Sequence, residues 1–99
     1  MDLSLLSINN FNALLNKVFK IQISEEIELD AELILVTEFT SYSPLERIPF
    51  SLVFRTEQKN EYYEQGIFTL IHPVEGKLDL FLTPLGFDEV GMKYEAVFS

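Results

Sequence analysis

His72 is the only histidine in the 99 residues, so general acid–base chemistry near neutral pH has one candidate side chain. It precedes Pro73 and stands between two apolar alternations, which places it at a hairpin turn. There is no cysteine, and no second histidine is present to complete a zinc set. Serine hydrolysis needs a nucleophile, a base and an orienting acid, and His72 would have to supply the base. No serine lies in a G-x-S-x-G elbow to use it. A turn histidine bonded to nearby backbone or water accounts for His72 better than a catalytic role does.

The carboxylates form the other candidate polar site. Glu28, Asp30 and Glu32 share one face of a strand, about 7 Å between successive members, and Glu25 and Glu26 extend them into an acidic strip. Such a strip suits a weakly held calcium ion or a basic partner. It lacks the D-x-[DN]-x-[DN]-G oxygen cage, however, and evenly spaced strand carboxylates splay apart. A solvated face that blocks strand-on-strand aggregation is the simpler reading. No pair is singled out for carboxylate catalysis. Gly66, Gly76, Gly86 and Gly91 are scattered, as turns and bulges require and a phosphate cradle does not. No cofactor is expected.

What positions these residues is mostly strand. Phe11, Leu14, Leu15 and Val18 fall at helical spacing, which predicts one amphipathic helix over 7–18 with Ser7, Asn9 or Asn10 as its cap. So short a helix needs a sheet to lie on, and it plugs one end of a β core. The period then becomes two. Phe19, Ile21 and Ile23 predict a first strand. Ile27, Leu29, Ala31, Leu33 and Leu35 predict a second, with Ile34 and Val36 adding apolar residues to its other face. Residues 40–47 read as a loop, 48–55 as a third strand with Phe50, Leu52 and Phe54 on one face, and 56–64 as an exposed polar connection. The stretch 65–84 is a hairpin around a Pro-x-x-Gly turn. A loop after Pro84 leads to a last strand, 93–98. Six strands and one helix in a single domain predict an α+β, mostly β fold: a small antiparallel barrel or sandwich.

Composition sets outer limits. The chain is 47% hydrophobic, with nine Phe and four Tyr, and a chain of this length buries roughly 65% of its unfolded surface without staples. A net charge of −9 repels phosphate backbones and anionic lipid, so neither nucleic acid nor membrane is expected as a partner. No apolar run approaches the ~18 residues of a membrane span, and the start of the chain has no basic region ahead of an apolar one. A cytoplasmic location is expected.

Apolar residues exceed what one sheet face uses. Ile34, Val36, Val53, Phe68, Leu70, Phe81 and Val97 fall on second faces, and Tyr62 and Tyr63 flank the polar connection. With one short helix to cover six strands, Ile34, Val36, Val53, Phe68, Phe81 and the two tyrosines become the candidate interface, for a protein partner or for self-association.

Several runs together carry a resemblance: Phe11-x-x-Leu14-Leu15, Phe19-x-Ile21, PFSLVF at 49–54, QGIFTL at 65–70, His72-Pro73, GKLDLFL at 76–82, Pro84-Leu85-Gly86 and YEAVF at 94–98. They resemble a family of small, uncharacterised bacterial proteins, and only 38–47, 56–64 and 87–92 are looser. The resemblance implies a stand-alone domain associated with phage-tail-fibre or tail-collar-like genes, and it supplies no catalytic residues. The expected function is a non-enzymatic interaction or accessory module. The competing expectation is a small-ligand-binding barrel or a carboxylate enzyme, which requires a cavity.

Overall fold

A computed structural model describes residues 6–39 and 48–98. One turn of helix, α1 (Asn9–Asn12), precedes six strands: β1 (Val18–Gln22), β2 (Glu28–Glu38), β3 (Phe50–Arg55), β4 (Gly66–His72), β5 (Gly76–Phe87) and β6 (Met92–Phe98). Every pairing is antiparallel, and the order β1-β2-β3-β6-β5-β4 returns to β1. Of the two architectures expected, the closed barrel is the one formed. Closure leaves the sheet without a terminal strand, which removes the exposed edge that invites strand addition.

Alternation fills the interior. Phe19 and Ile21, Ala31 and Leu33, Phe50, Leu52 and Phe54, Leu78, Leu80 and Leu82, and Met92, Tyr94, Ala96 and Phe98 are all buried. They come from five strands at period two, and one face of each strand looks inward. Leu70 and His72 do the same from β4.

Four expectations change. First, the helical stripe is cut short. α1 ends at Asn12 with Ala13 as its C-cap, and Asn16 takes a positive φ of 70°. Asparagine tolerates this left-handed conformation, and it turns the chain into β1. Phe11 is buried, but Leu15 and Val18 are exposed. Ile8 is the N-cap and no side chain caps it; the Asn10 side chain instead accepts the Ser7 N–H at 2.8 Å.

Second, a bulge lies between Leu33 and Leu35 on β2. The extra residue shifts the phase, so Leu35 pairs with Val53 on the outside and is exposed, while Val36 pairs with Leu52 and packs on the core. Third, β4 points Phe68, Leu70 and His72 inward and Ile67 outward, so Phe68 and Leu70 are core rather than second-face residues. Fourth, β5 runs on through Pro84 to Phe87. A bulge between Pro84 and Gly86 accommodates the proline, which has no ladder N–H to give, and Gly86 takes a φ of 123° there. The expected loop at 40–47 lies outside the described residues.

The barrel has two plugged ends. At one, α1 puts Phe11 among Phe50, Phe98 and His72, with ring centroids at 6.0, 5.8 and 5.3 Å. Phe50 and Phe98 stack at 4.6 Å, and Phe19 bridges Phe54 and His72. At the other end, the connection 56–65 between β3 and β4 folds over the mouth. It is not simply exposed, because Thr56 is buried and its N–H donates to the Met92 carbonyl at 2.9 Å.

That second plug depends on Gly91. A Cβ there would stand 1.9 Å from the Thr56 carbonyl oxygen, and backbone cannot step aside as a side chain can. Gly91→Ala should therefore destabilise the fold by about 1–3 kcal/mol, the usual cost of overpacking. Urea denaturation measures this, and an unchanged midpoint would refute the contact.

Candidate functional site

At the helix end the sole histidine is built in from three backbone groups. His72 is 3% exposed, held between Phe11 and Phe19. Its Nε2–H donates to the Asn10 carbonyl at 2.8 Å, while Nδ1 accepts the N–H groups of Val74 and Glu75, each at 3.0 Å. Two donors on Nδ1 require its lone pair, so the ring is the neutral Nε2–H tautomer. Both nitrogens are used in joining α1 to the β4–β5 turn. Asn10 Nδ2 adds a contact to Glu75 Oε2 at 3.4 Å on the same seam. This is a latch with no free nitrogen for substrate.

At the opposite mouth Tyr94 organises the polar groups. Its hydroxyl donates to Gln58 Oε1 at 2.7 Å and accepts the Tyr63 N–H at 2.9 Å. Burial pushes the Tyr94 hydroxyl's pKa up, against the opposing pull of the Tyr63 N–H. Beneath it, the space between Ile21, Ile23, Leu29, Phe68 and Leu82 is too small for a water molecule. The interior beneath the mouth is filled by side chains, and an open cleft of about 420 Å³ lined by Lys20, Glu28, Asp30, Thr56, Glu57 and Gln58 lies beside it.

The acidic strip does not converge. Asp30 pairs with Lys20, and this hydrogen bond is the leading cause that raises the lysine's pKa. Glu32 lies 3.5 Å from Arg55, which also holds Asp88 at 3.0 Å. Glu28 is exposed and lines that cleft with Lys20 and Asp30. Among the described residues no three His, Asp or Glu side chains gather as a metal set.

The candidate interface residues separate into two groups. Val36 and Phe68 pack on the core and Val53 is 6% exposed, so their apolar surface is already used inside the chain. Ile34 and Tyr63 are half-buried, and Tyr63 meets the Phe68 ring at 6.4 Å. Phe81 and Tyr62 are open, Tyr62 against Phe87 at 6.2 Å. Phe81 pairs with Ile67 on the outer face, and Ile67 is 71% exposed. Val97 on the next strand is also exposed, two residues beyond the Thr83–Glu95 pair as Phe81 is on β5, so all three lie on the outer face of β4, β5 and β6.

The Arg55–Asp88 pair escaped the sequence reading, although Asp88-x-x-Gly91 is a turn signal. Asp88 Oδ1 accepts the N–H groups of Val90 and Gly91 at 2.8 and 2.9 Å. The Gly91 N–H above all, with that of Val90 and the Arg55 guanidinium, holds the carboxyl's pKa down from 3.8 to about 2.

Two expectations follow from the latch and the turn. His72→Phe keeps a ring but leaves two N–H groups and a carbonyl without their partner. Denaturant unfolding should show a loss of about 2 kcal/mol or more, and in the wild type ¹⁵N NMR should find Nδ1 unprotonated; a protonated Nδ1 contradicts the latch. For Asp88, a folded-state pKa below the unfolded value gives stabilisation that is complete above about pH 4 and vanishes as pH falls towards 2. Asp88→Asn should thus melt below wild type at pH 7 and alongside it near pH 2. A deficit that is constant with pH would assign the loss to packing.

No described helix is long and apolar enough to cross a membrane. Comparison with curated proteins and with solved structures finds no match. The model of one family, a domain of unknown function (DUF6916), matches residues 6–98, which take in α1, all six strands and both plugged ends. An uncharacterised family is what the motifs led one to expect, and the chain belongs to DUF6916.

Proposed function

We propose that this domain is a non-catalytic interaction module, a structural or accessory part that works by protein–protein contact. The observation that carries the reading is the outer apolar group of Ile67, Phe81 and Val97, at 71%, 54% and 57% exposure. Full burial of a side chain of this size is worth roughly 1.5–3 kcal/mol, and more than half of each remains in water. The same residues covered by a partner would recover that energy. The interior offers less to a ligand: His72 has both nitrogens committed to backbone, and the Tyr94 mouth is packed. The resemblance of the motifs to proteins near phage-tail-fibre genes makes a tail-like or fibre assembly the proposed setting.

Paired affinity capture with chemical crosslinking tests the reading, with wild type and Phe81→Lys as matched baits. A protein recovered with wild type should fall at least tenfold with the variant. Burial of one aromatic side chain is enough for that ratio, since tenfold is 1.4 kcal/mol. Identical recoveries from the two baits would sink it.

A further inference from the structure

The partner's chemistry can be read from how charge and apolar surface divide around the barrel. In the strand order, β2 lies across from β5 and β1 across from β6. The β1–β2 side carries Glu25, Glu26, Glu28, Asp30 and Glu32 against the one base Lys20. The β5–β6 face is different. Its outward alternate positions hold Lys77, Asp79, Phe81 and Thr83 on one strand and Lys93, Glu95 and Val97 on the other. Two bases balance two acids there, so this face is locally neutral on a chain of charge −9. Like-charge repulsion between two copies is therefore weaker across this face than across the β1–β2 side.

We infer that the β5–β6 face binds a second copy of this chain, as a two-fold dimer. The inference rests on reading the face as an interface and adds what covers it. Three observations support it. The first is the charge division. The second is area: Ile67, Phe81, Val97 and the exposed bulge residue Leu85 present about 400 Å² of apolar surface, on side-chain areas of the order of 150–250 Å². A standard interface takes about 800 Å² per partner, a little over half of it apolar.

The third is self-complementarity. A two-fold axis parallel to the strands and between β5 and β6 brings each residue over its register partner in the other copy. Thr83 pairs with Glu95 and Gly86 with Lys93 within one chain. Across the axis Thr83 therefore meets Glu95 and Gly86 meets Lys93, and no like charges are superposed. Two residues further along the same register, Phe81 meets Val97. The Thr83 hydroxyl can donate to the Glu95 carboxylate, a charge-assisted bond at the edge of the apolar contact.

Light scattering across a concentration series tests this on the full chain. Wild type should approach twice the 11.5 kDa chain mass as concentration rises. Phe81→Lys and Val97→Lys should weaken the dimer at least tenfold and, being at exposed positions, keep the wild-type melting temperature at dilutions where wild type is monomeric. Thr83→Lys, which sets a cation over Glu95 of the other copy, should tighten the dimer, and Thr83→Glu should loosen it. Monomer at every concentration overturns the inference, as does a dimer indifferent to Phe81→Lys or to the sign at position 83. A monomer that still loses a captured protein on Phe81→Lys overturns the second copy as occupant while leaving the interaction reading in place.

Discussion

Three residue pairs close this barrel: Lys20 with Ile71, Ile21 with Leu70, and Gln22 with Thr69. It is the shortest ladder of the six, and the whole topology turns on it, because without it β1 and β4 become free edges. Backbone hydrogen bonds at about 1 kcal/mol net each are thin support for a seam that must hold a closed sheet. The support comes from either side of it. Ile21 and Leu70 in the middle pair are 1% and 0% exposed, so opening the seam would wet two aliphatic side chains that each contribute roughly 1.5–3 kcal/mol. Outside, Lys20 reaches across to Asp30, and Thr69 donates to Asp79 at 2.8 Å. Each of these ties a seam strand to its other neighbour.

The aromatic plug extends the same seam. His72 follows Ile71 directly, and its ring joins the β4–β5 turn to α1 through backbone alone. α1 in turn presents Phe11 to Phe50 on β3 and Phe98 on β6. A single turn of helix has no stability of its own in water. It persists because its one buried residue completes an aromatic cluster drawn from four strands. The helix is thus a consequence of the barrel, and its role is to keep water from the open end of the ladder that closes it.

How much of this was legible in the sequence depends on whether a polar residue marked the phase. Along KLDLFLT, Asp79 and Thr83 label one face of β5, and the reading of Leu78, Leu80 and Leu82 as core and Phe81 as outward holds in the structure. In LILV at 33–36 nothing is polar, so the bulge that turns Leu35 outward and Val36 inward leaves no trace in the pattern. GIFTLIH misled because it carries one polar residue on each face, Thr69 on one and His72 on the other. His72, polar by type, lies on the buried face. Helical spacing over 11–18 was real but was overridden. β1 claims Val18 for its pairing with Glu32, and Asn16 supplies the left-handed turn that permits it. The mouth was hidden for a different cause. Thr56, Gln58 and Tyr63 meet Tyr94 only because the chain crosses from β3 to β4 over two intervening strands, a closure that no local pattern encodes.

These constraints together determine where function can reside. A closed barrel has no terminal strand to add to, so a partner cannot join by extending the sheet. Among the described residues the interior is packed around Phe54, Leu52 and Leu80, and its histidine is committed to backbone. What remains is the outer surface, where contact is made by side chains alone. On that surface acidic strand positions are already engaged in part with Lys20 and Arg55, while Ile67, Phe81 and Val97 have only solvent beyond them among the described residues. The interior could have taken these apolar residues only at the cost of overfilling a barrel of six strands, because every inward position is occupied. Their place outside is therefore a constraint the fold tolerates, and the proposed binding would turn it to advantage.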